Sequence, residues 1–595
     1  AAAGIHWTFA PMVDIARDAR WGRIMEGAGE DPYLGSLVAA ARVRGFQGKN
    51  LKDDNTIVAC AKHFAAYGAA EGGRDYNTVN ISDRVLYETY LPPFKAAAEA
   101  GVGTFMNSFN EIDGVPATGN QNLVNRVLKK DWKFQGFVVS DWNSIGEMIT
   151  HGVAKDKYEA GMMAANAGCD MDMETSAYRE HLVKLVKDGK VSEKTVDEAV
   201  RRILRVKIKL GLFDDPYKYC NEKREKKLTL TAEHQAVARD VARKSIVLLG
   251  NKKQVLPLNS TIKSIAVIGP LGDSKRDMIG NWKAMGEAND AVTVLEGIKA
   301  QVPSTTKVLY ARGCSIQGDT ADIPAAVSLA READVVVLAI GESWNMSGEA
   351  HSRGNISIPG HQEELAAEIF KLEKPVVVLL MNGRPLTIPW LADNAPSLLE
   401  CWFLGTQAGN AIADVIFGKY NPSGKLTVTF PYSVGQIPIY YNHKNTGRPK
   451  LDENNQWVSR YEDIPNAPVF PFGFGLSYTT FSYSDIQLSA KEIGITDTLK
   501  VSVDVKNTGK YDGEEVVQLY IRDLIGSVTR PVKELKGFKK ILLKAGESKK
   551  VTFNISSSDL AFYTRDMSFK AEPGDFNVFV GTNSEVLKEA AFALK

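Results

Sequence analysis

The stretch "GFVVSDWNSIG", residues 136–146, sets a short apolar run, Phe137, Val138 and Val139, against an abrupt polar stop at Ser140, Asp141 and Trp142. An unbroken apolar triplet reads as a strand buried on both faces, the condition of a parallel sheet covered by helices. A core strand has no use for a carboxylate and an indole at its end. The C-terminal mouth of a β/α barrel does, because its loops are free to carry catalytic groups.

The same pattern recurs on either side. Residues 6–13, 56–61, 102–106 and 168–173 are further candidate strands, separated by helical segments such as "RVLYETYLPPFKAAAEAG" and "NQNLVNRVLKKDWK". Five β-then-α units predict part of a β/α barrel. A long helix, "SEKTVDEAVRRILRVKIKLGLF", follows with Val196, Val200, Ile203 and Leu204 on one face and ends near Gly211. The opening "AAAGIHWTFAPMVDI" reads as the last turn and C-cap of a helix, so the N-terminal part of the barrel is expected to be missing from residues 1–213.

Residues 214–230, "DDPYKYCNEKREKKLTL", are charged and Pro-containing, a solvated linker. Residues 231–430 return to α/β rhythm, with "SIAVIG", "DVVVLAIG", "PVVVLLMNG", "SLLECWF" and "KLTVTF" as strands of a mostly parallel sheet in a second, sandwich-like domain. Three of these runs end in Gly, which suits turns at a ligand-facing edge. Residues 431–475 lack periodicity and read as an extended connector. Residues 476–595 alternate apolar and polar positions in "KVSVDVKNTG", "EVVQLYIRD" and "KKVTFNIS", the signature of a β-sandwich.

Composition excludes several classes. A chain of 595 residues needs more than one core, and its net charge of +1 gives no electrostatic reason for nucleic acid or an anionic membrane as partner. Five scattered cysteines without Cys-x-x-Cys spacing argue against a disulfide framework and a zinc cluster. No apolar run approaches the ~18 residues needed to span a bilayer.

The expected strand ends carry Asp14, Lys62, His63, the segment from Asn107 to Asn110, Asp141, Trp142, Asp170 and Asp172. Each alone has a plain structural use. Asp141 can cap a helix, His63 can be a satisfied core histidine, and Arg23 can pair with Glu26 or Glu30. Together they describe a polar ring suited to a polyhydroxylated ligand, with Trp142 as a flat face for a sugar.

The blocks "RDARWGRIMEGAGEDPYL", "AKHFAAYG", "FVVSDW", "GEAHSR" and "RPVKELKGF" resemble, in order and across the whole chain, the signatures of glycoside hydrolase family 3. The resemblance implies a three-domain enzyme of the β-glucosidase branch whose last domain is fibronectin type III-like. It makes Asp141 the nucleophile and Trp142 a border of the leaving-group side. Arg23, Lys62 and His63 are implied to hydrogen-bond sugar hydroxyls. Arg74 is carried over from a variable loop, and Phe109 stands where many members have Tyr. Glu26, Glu30 and Asp31 are expected to orient the arginines.

Retaining hydrolysis also needs a second carboxyl ~5–5.5 Å from the nucleophile. "KHFAAYGAAEG" lacks the Asp-His pair of the N-acetylglucosaminidase branch, so the acid is expected in "GESWNMSGEAHSRGNISIPG". Glu342 closes a strand and braces the loop in this reading; Glu349 matches the family's acid/base position. The implied function is an exo-acting retaining β-glucosidase that needs no metal or organic cofactor. Its partners are β-glucosides, cello-oligosaccharides or similar oligosaccharides, with no nucleic acid and no membrane; a homodimer is compatible with the resemblance, as is a periplasmic or secreted location. A β-xylosidase of the same family and a non-catalytic carbohydrate-binding derivative are the alternatives. Family members also carry a further barrel segment before the equivalent of Gly4, with an Asp that grips the sugar. A version extended by it is expected to be more stable and to bind glucose more tightly.

Overall fold

The computed structural model describes residues 1–259, 261–449 and 455–595, so residues 450–454 of the expected connector lie outside the described residues. The chain forms two compact units, one of residues 1–18 and 26–231, the other of residues 19–25 and 232–595.

In the first unit, strands Cys60–Phe64, Thr104–Asn107 and Phe137–Val139 lie side by side, all parallel. Parallel bridges Trp7 to Val58 and Met12 to Lys62 add a segment on one side, and Val139 to Met171 adds one on the other. The row therefore has five members in chain order, as the five apolar runs predict, although the expected strands at 6–13 and 168–173 are only bridged. Both faces of the row are covered. Phe64, Phe105 and Val138 pack among helices Pro32–Gln47 and Pro92–Glu99, whereas Cys60, Met106 and Val139 meet Val206 and Leu210. Asp31 caps the first of these helices through Leu34 N, 2.7 Å from Oδ1.

The long helix forms at Glu193–Lys209, and half of its expected stripe, Val196 and Ile203, packs against neighbouring cores. It buries Arg202 and Val206, while Val200 and Leu204 of the expected stripe are 47% and 39% exposed. The reason is Arg202, whose guanidinium donates to the carbonyls of Phe134 and Gly136 at 2.8 Å each and so ties the helix to the entry of the Phe137–Val139 strand. The charged stretch after it contains a short helix, Glu222–Leu228, with no buried residue.

In the second unit a six-stranded sheet runs in the order Val247–Asn251, Ser397–Glu400, Val376–Met381, Val335–Gly341, Ser264–Ile268, Lys307–Ala311. All neighbours are parallel except the first pair. Every residue of Val335–Gly341 and Val376–Met381 is buried, as expected of central parallel strands. Gly341 ends its strand at φ 140°, and a Cβ there would lie 1.9 Å from the Met381 carbonyl oxygen, so only glycine allows the turn that follows. The C-terminal region is a two-sheet sandwich. Its strand Thr498–Asn507 buries every second residue, and Val501, Val503 and Val505 meet Leu519, Val578 and Phe576 in one core. No helix among the described residues is long and apolar enough to cross a membrane.

Candidate active site

The carboxyl ends of the first unit's strands bring three of the expected residues into a line. Asp14 follows the Met12 bridge, and its Oδ2 accepts from both the backbone N–H and the ring Nδ1 of His63, 2.9 Å each. The opposite ring nitrogen, Nε2, stands 3.6 Å from Asp141 Oδ2. The other Asp141 oxygen accepts from the Trp142 N–H at 2.7 Å. Asp14, His63 and Asp141 are all buried. Asp141 is thus a largely buried carboxylate with one oxygen held by a hydrogen bond and the other facing the imidazole, an arrangement that suits a preorganised nucleophile.

The turn after Asp141 is pinned from the neighbouring segment. Ser140 N donates to Met171 O, Ser140 Oγ accepts from Met173 N at 2.8 Å, and Asn143 takes the left-handed conformation at φ 57°. Trp142 remains 61% exposed, so its indole face is open to a ligand. Lys62 Nζ faces Glu26 Oε1 at 3.9 Å. Tyr67 packs edge-on to the His63 ring at 5.0 Å and sits beside Phe109, which Tyr76 also meets at 5.2 Å. Phe109 is thus a buried aromatic contact, whereas Arg74 is exposed, with Nε donating to Glu71 O at 3.3 Å.

Other members of the expected ring serve the scaffold. Asp170 accepts the Val138 N–H at 2.8 Å and pairs with Lys129 at 2.7 Å; burial raises its carboxyl and lowers the Lys129 ammonium from their ordinary values. Asp172 accepts from Tyr178 N at the start of a helix. Asn107 and Asn110 donate to backbone carbonyls, and Ser108 bonds Asn110.

Arg23 and both candidate acids lie in the second unit. Arg23 belongs to a short 3₁₀ segment, Gly22–Glu26, is almost wholly buried, and brings Nη1 to 3.4 Å from Glu349 Oε1. Glu349 is half exposed, at 46% of its side chain. Glu342 is its opposite. It is fully buried and accepts from Arg353 Nη1 at 2.6 Å, Ser347 Oγ at 2.8 Å, Arg384 Nε at 3.0 Å and Gly383 N at 3.1 Å. Glu342 thus has every lone-pair direction occupied by the scaffold, whereas Glu349 meets Arg23 and keeps a solvent-facing side. Arg384 was not foreseen, yet an arginine just past the apolar run "VVVLLMNG" demands a buried carboxylate partner. Nearby, Glu400 ends its strand fully buried, and burial pushes its carboxyl well above the carboxylate range. Among the described residues no group of His, Cys, Asp and Glu is suited to a metal ion.

Comparison with known proteins gives one consistent result. The glycosyl hydrolase family 3 N-terminal domain matches residues 1–206, the C-terminal domain of the same family 246–478, and the fibronectin type III-like domain 515–584. A periplasmic β-glucosidase of Salmonella typhimurium is 47% identical, over 99% of this chain and 80% of its own. A β-xylosidase of Formosa agariphila is 42% identical, over 100% and 84%. A mutant β-glucosidase from Listeria innocua, solved in complex with laminaribiose, matches with a TM-score of 0.97 at 44% identity, covering 100% of this chain and 82% of that one.

Proposed function

The chain belongs to glycosyl hydrolase family 3, and we propose that within it the protein is an exo-acting retaining β-glucosidase. The observation that supports this reading is the buried Asp14–His63–Asp141 line, which sets one carboxylate at a strand end with one oxygen bonded to the Trp142 N–H and the other facing the His63 ring.

In the first step Glu349 gives its proton to the glycosidic oxygen while the Asp141 carboxylate attacks the anomeric carbon. The carbon–oxygen bond to the leaving group breaks, and an ester to Asp141 forms with inverted configuration. In the second step Glu349, now a carboxylate, takes a proton from water as that water attacks the same carbon. The ester breaks, Asp141 returns as carboxylate, and glucose leaves with the configuration it began with. Arg23, Lys62 and His63 are the side chains we assign to sugar hydroxyls, with Phe109 and Trp142 as apolar and aromatic borders and Arg74 as an outer contact. Terminal β-glucosyl residues of cello-oligosaccharides and related oligosaccharides are the substrates, and a periplasmic or secreted location fits the Salmonella relative.

The Formosa relative keeps a second reading, β-xylosidase, in play. Rates on nitrophenyl β-glucoside and β-xyloside separate the two, and an activated 2-fluoroglucoside should label Asp141. A chain that turns over neither glycoside and takes no label overturns the proposal; faster turnover of the xyloside replaces it with the second reading.

A further inference from the structure

The loop bearing Glu349 is held by a group that touches no part of the proposed chemistry. Arg384, fully buried, uses all five of its N–H donors. Nε donates to Glu342; Nη1 to the carbonyls of Ala19 and Arg20, 3.3 and 2.7 Å; Nη2 to those of Met346 and His351, 2.6 and 2.8 Å. Met346 and His351 bracket Glu349 in sequence, and Ala19 and Arg20 lead into Arg23. One planar guanidinium therefore fixes both segments that carry the Arg23–Glu349 contact.

The lateral fit has no slack. Gly348 N donates to Gly22 O at 2.8 Å, and Arg353 N to Arg20 O at 2.9 Å. A Cβ on Gly22 would stand 2.2 Å from the Gly348 carbonyl oxygen. Net stability is a weak explanation for the arrangement, because a buried ion pair gives up in desolvation about what it gains in attraction. Its rigid, five-pronged geometry is what an apolar replacement could not supply.

We propose that the buried Arg384–Glu342 pair is the positioning device of the proton donor: it sets the register of residues 19–23 against 346–353 and so fixes where Glu349 presents its carboxyl. This rests on the reading of Glu349 as acid/base. A displacement of the donor of order 1 Å is enough for a large rate loss, and it weighs only on leaving groups that need a proton.

The test is steady-state kinetics of Arg384→Gln and Glu342→Gln on aryl β-glucosides, from dinitrophenyl to phenyl, with labelling by the activated 2-fluoroglucoside as a measure of intact Asp141. Expected is a loss of about 100-fold in kcat/KM for the phenyl glucoside. The dinitrophenyl glucoside should lose no more than about threefold, and labelling should be unchanged. A merely structural pair would lower all substrates and the labelled fraction alike, and that uniform loss overturns the proposal. If Arg384→Gln yields no folded protein, Glu342→Gln and Gly22→Ala decide; the latter keeps every charge and forces the two segments apart, so it should show the same leaving-group dependence. Glu349→Ala is run in parallel. If it shows the dependence and the positioning variants do not, the pair is no positioning device; if Glu349→Ala itself lacks it, the assignment of Glu349 falls and takes the proposal with it.

Discussion

Asp14→Asn is the most informative single change in the first unit. The amide can keep its oxygen where Oδ2 stands, 2.9 Å from both the His63 backbone N–H and the ring Nδ1, so geometry is retained and only charge is lost. A hydrogen bond to a charged group contributes about 1.5–3 kcal/mol and a neutral one about 0.5–1.5, so each of the two bonds should weaken by about 1–1.5 kcal/mol. The backbone bond belongs to folding, and its share should appear as a lower melting temperature. The ring bond belongs to the orientation of His63 towards Asp141, and its share should appear in kcat/KM as about a tenfold loss, since each 1.36 kcal/mol is a decade. Asp14→Ala, which removes the acceptor altogether, should lose more on both counts. The decisive assay is the cycle with His63→Ala: where the ring is gone, Asp14→Asn should cost kcat/KM almost nothing further. A full tenfold loss in that background would refute the argument, because Asp14 would then act on the chemistry by a route other than the imidazole.

Asp141→Asn should fold normally and lose turnover, since no carboxylate is left to form the ester; a tenth of the parent activity in a contamination-free preparation would rule it out as nucleophile. Glu349→Ala should slow poor leaving groups far more than activated ones and yield a β-glycosyl azide when azide is added; finding this behaviour in Glu342→Ala alone would exchange the roles of the two glutamates. Glu400→Gln should change the pH dependence of stability. Burial raises the Glu400 carboxyl in the folded protein, so its contribution is fully present below the unfolded value of about 4.3 and is lost as pH rises towards the folded value. Removing the titration should therefore improve the variant's standing against the parent by up to about 1.4 kcal/mol per pH unit above about pH 5. Thermal melts across that range check it, and a gap that does not widen with pH would show that Glu400 does not titrate this way.

What the sequence disclosed was local. The triplet before Asp141 is buried throughout, and the alternation in Thr498–Asn507 maps residue by residue onto one buried and one open face, because both signals depend only on the period of a strand. Helix facing was less legible. The stripe Val196, Val200, Ile203 and Leu204 is a sound amphipathic pattern, and the two backbone carbonyls that attract Arg202 leave no mark in it. Asp170 and Asp14 look alike from sequence, each an acid at the end of an apolar run. One turns to Val138 N and Lys129, the other to His63, and only the packing around them decides which. Arg384 is the same lesson at longer range: its four backbone acceptors come from two segments far apart in the chain.

The placement of residues 19–25 in the second unit bears on how the protein is made. This segment leaves the ribosome long before its partner, because the arginine that clasps the Ala19 carbonyl is translated 365 positions later. The order of synthesis and the order of completion are therefore opposed. A nascent chain halted anywhere before Arg384 holds one edge of its second unit in waiting. A gene cut near codon 231 would send that edge out with the wrong half.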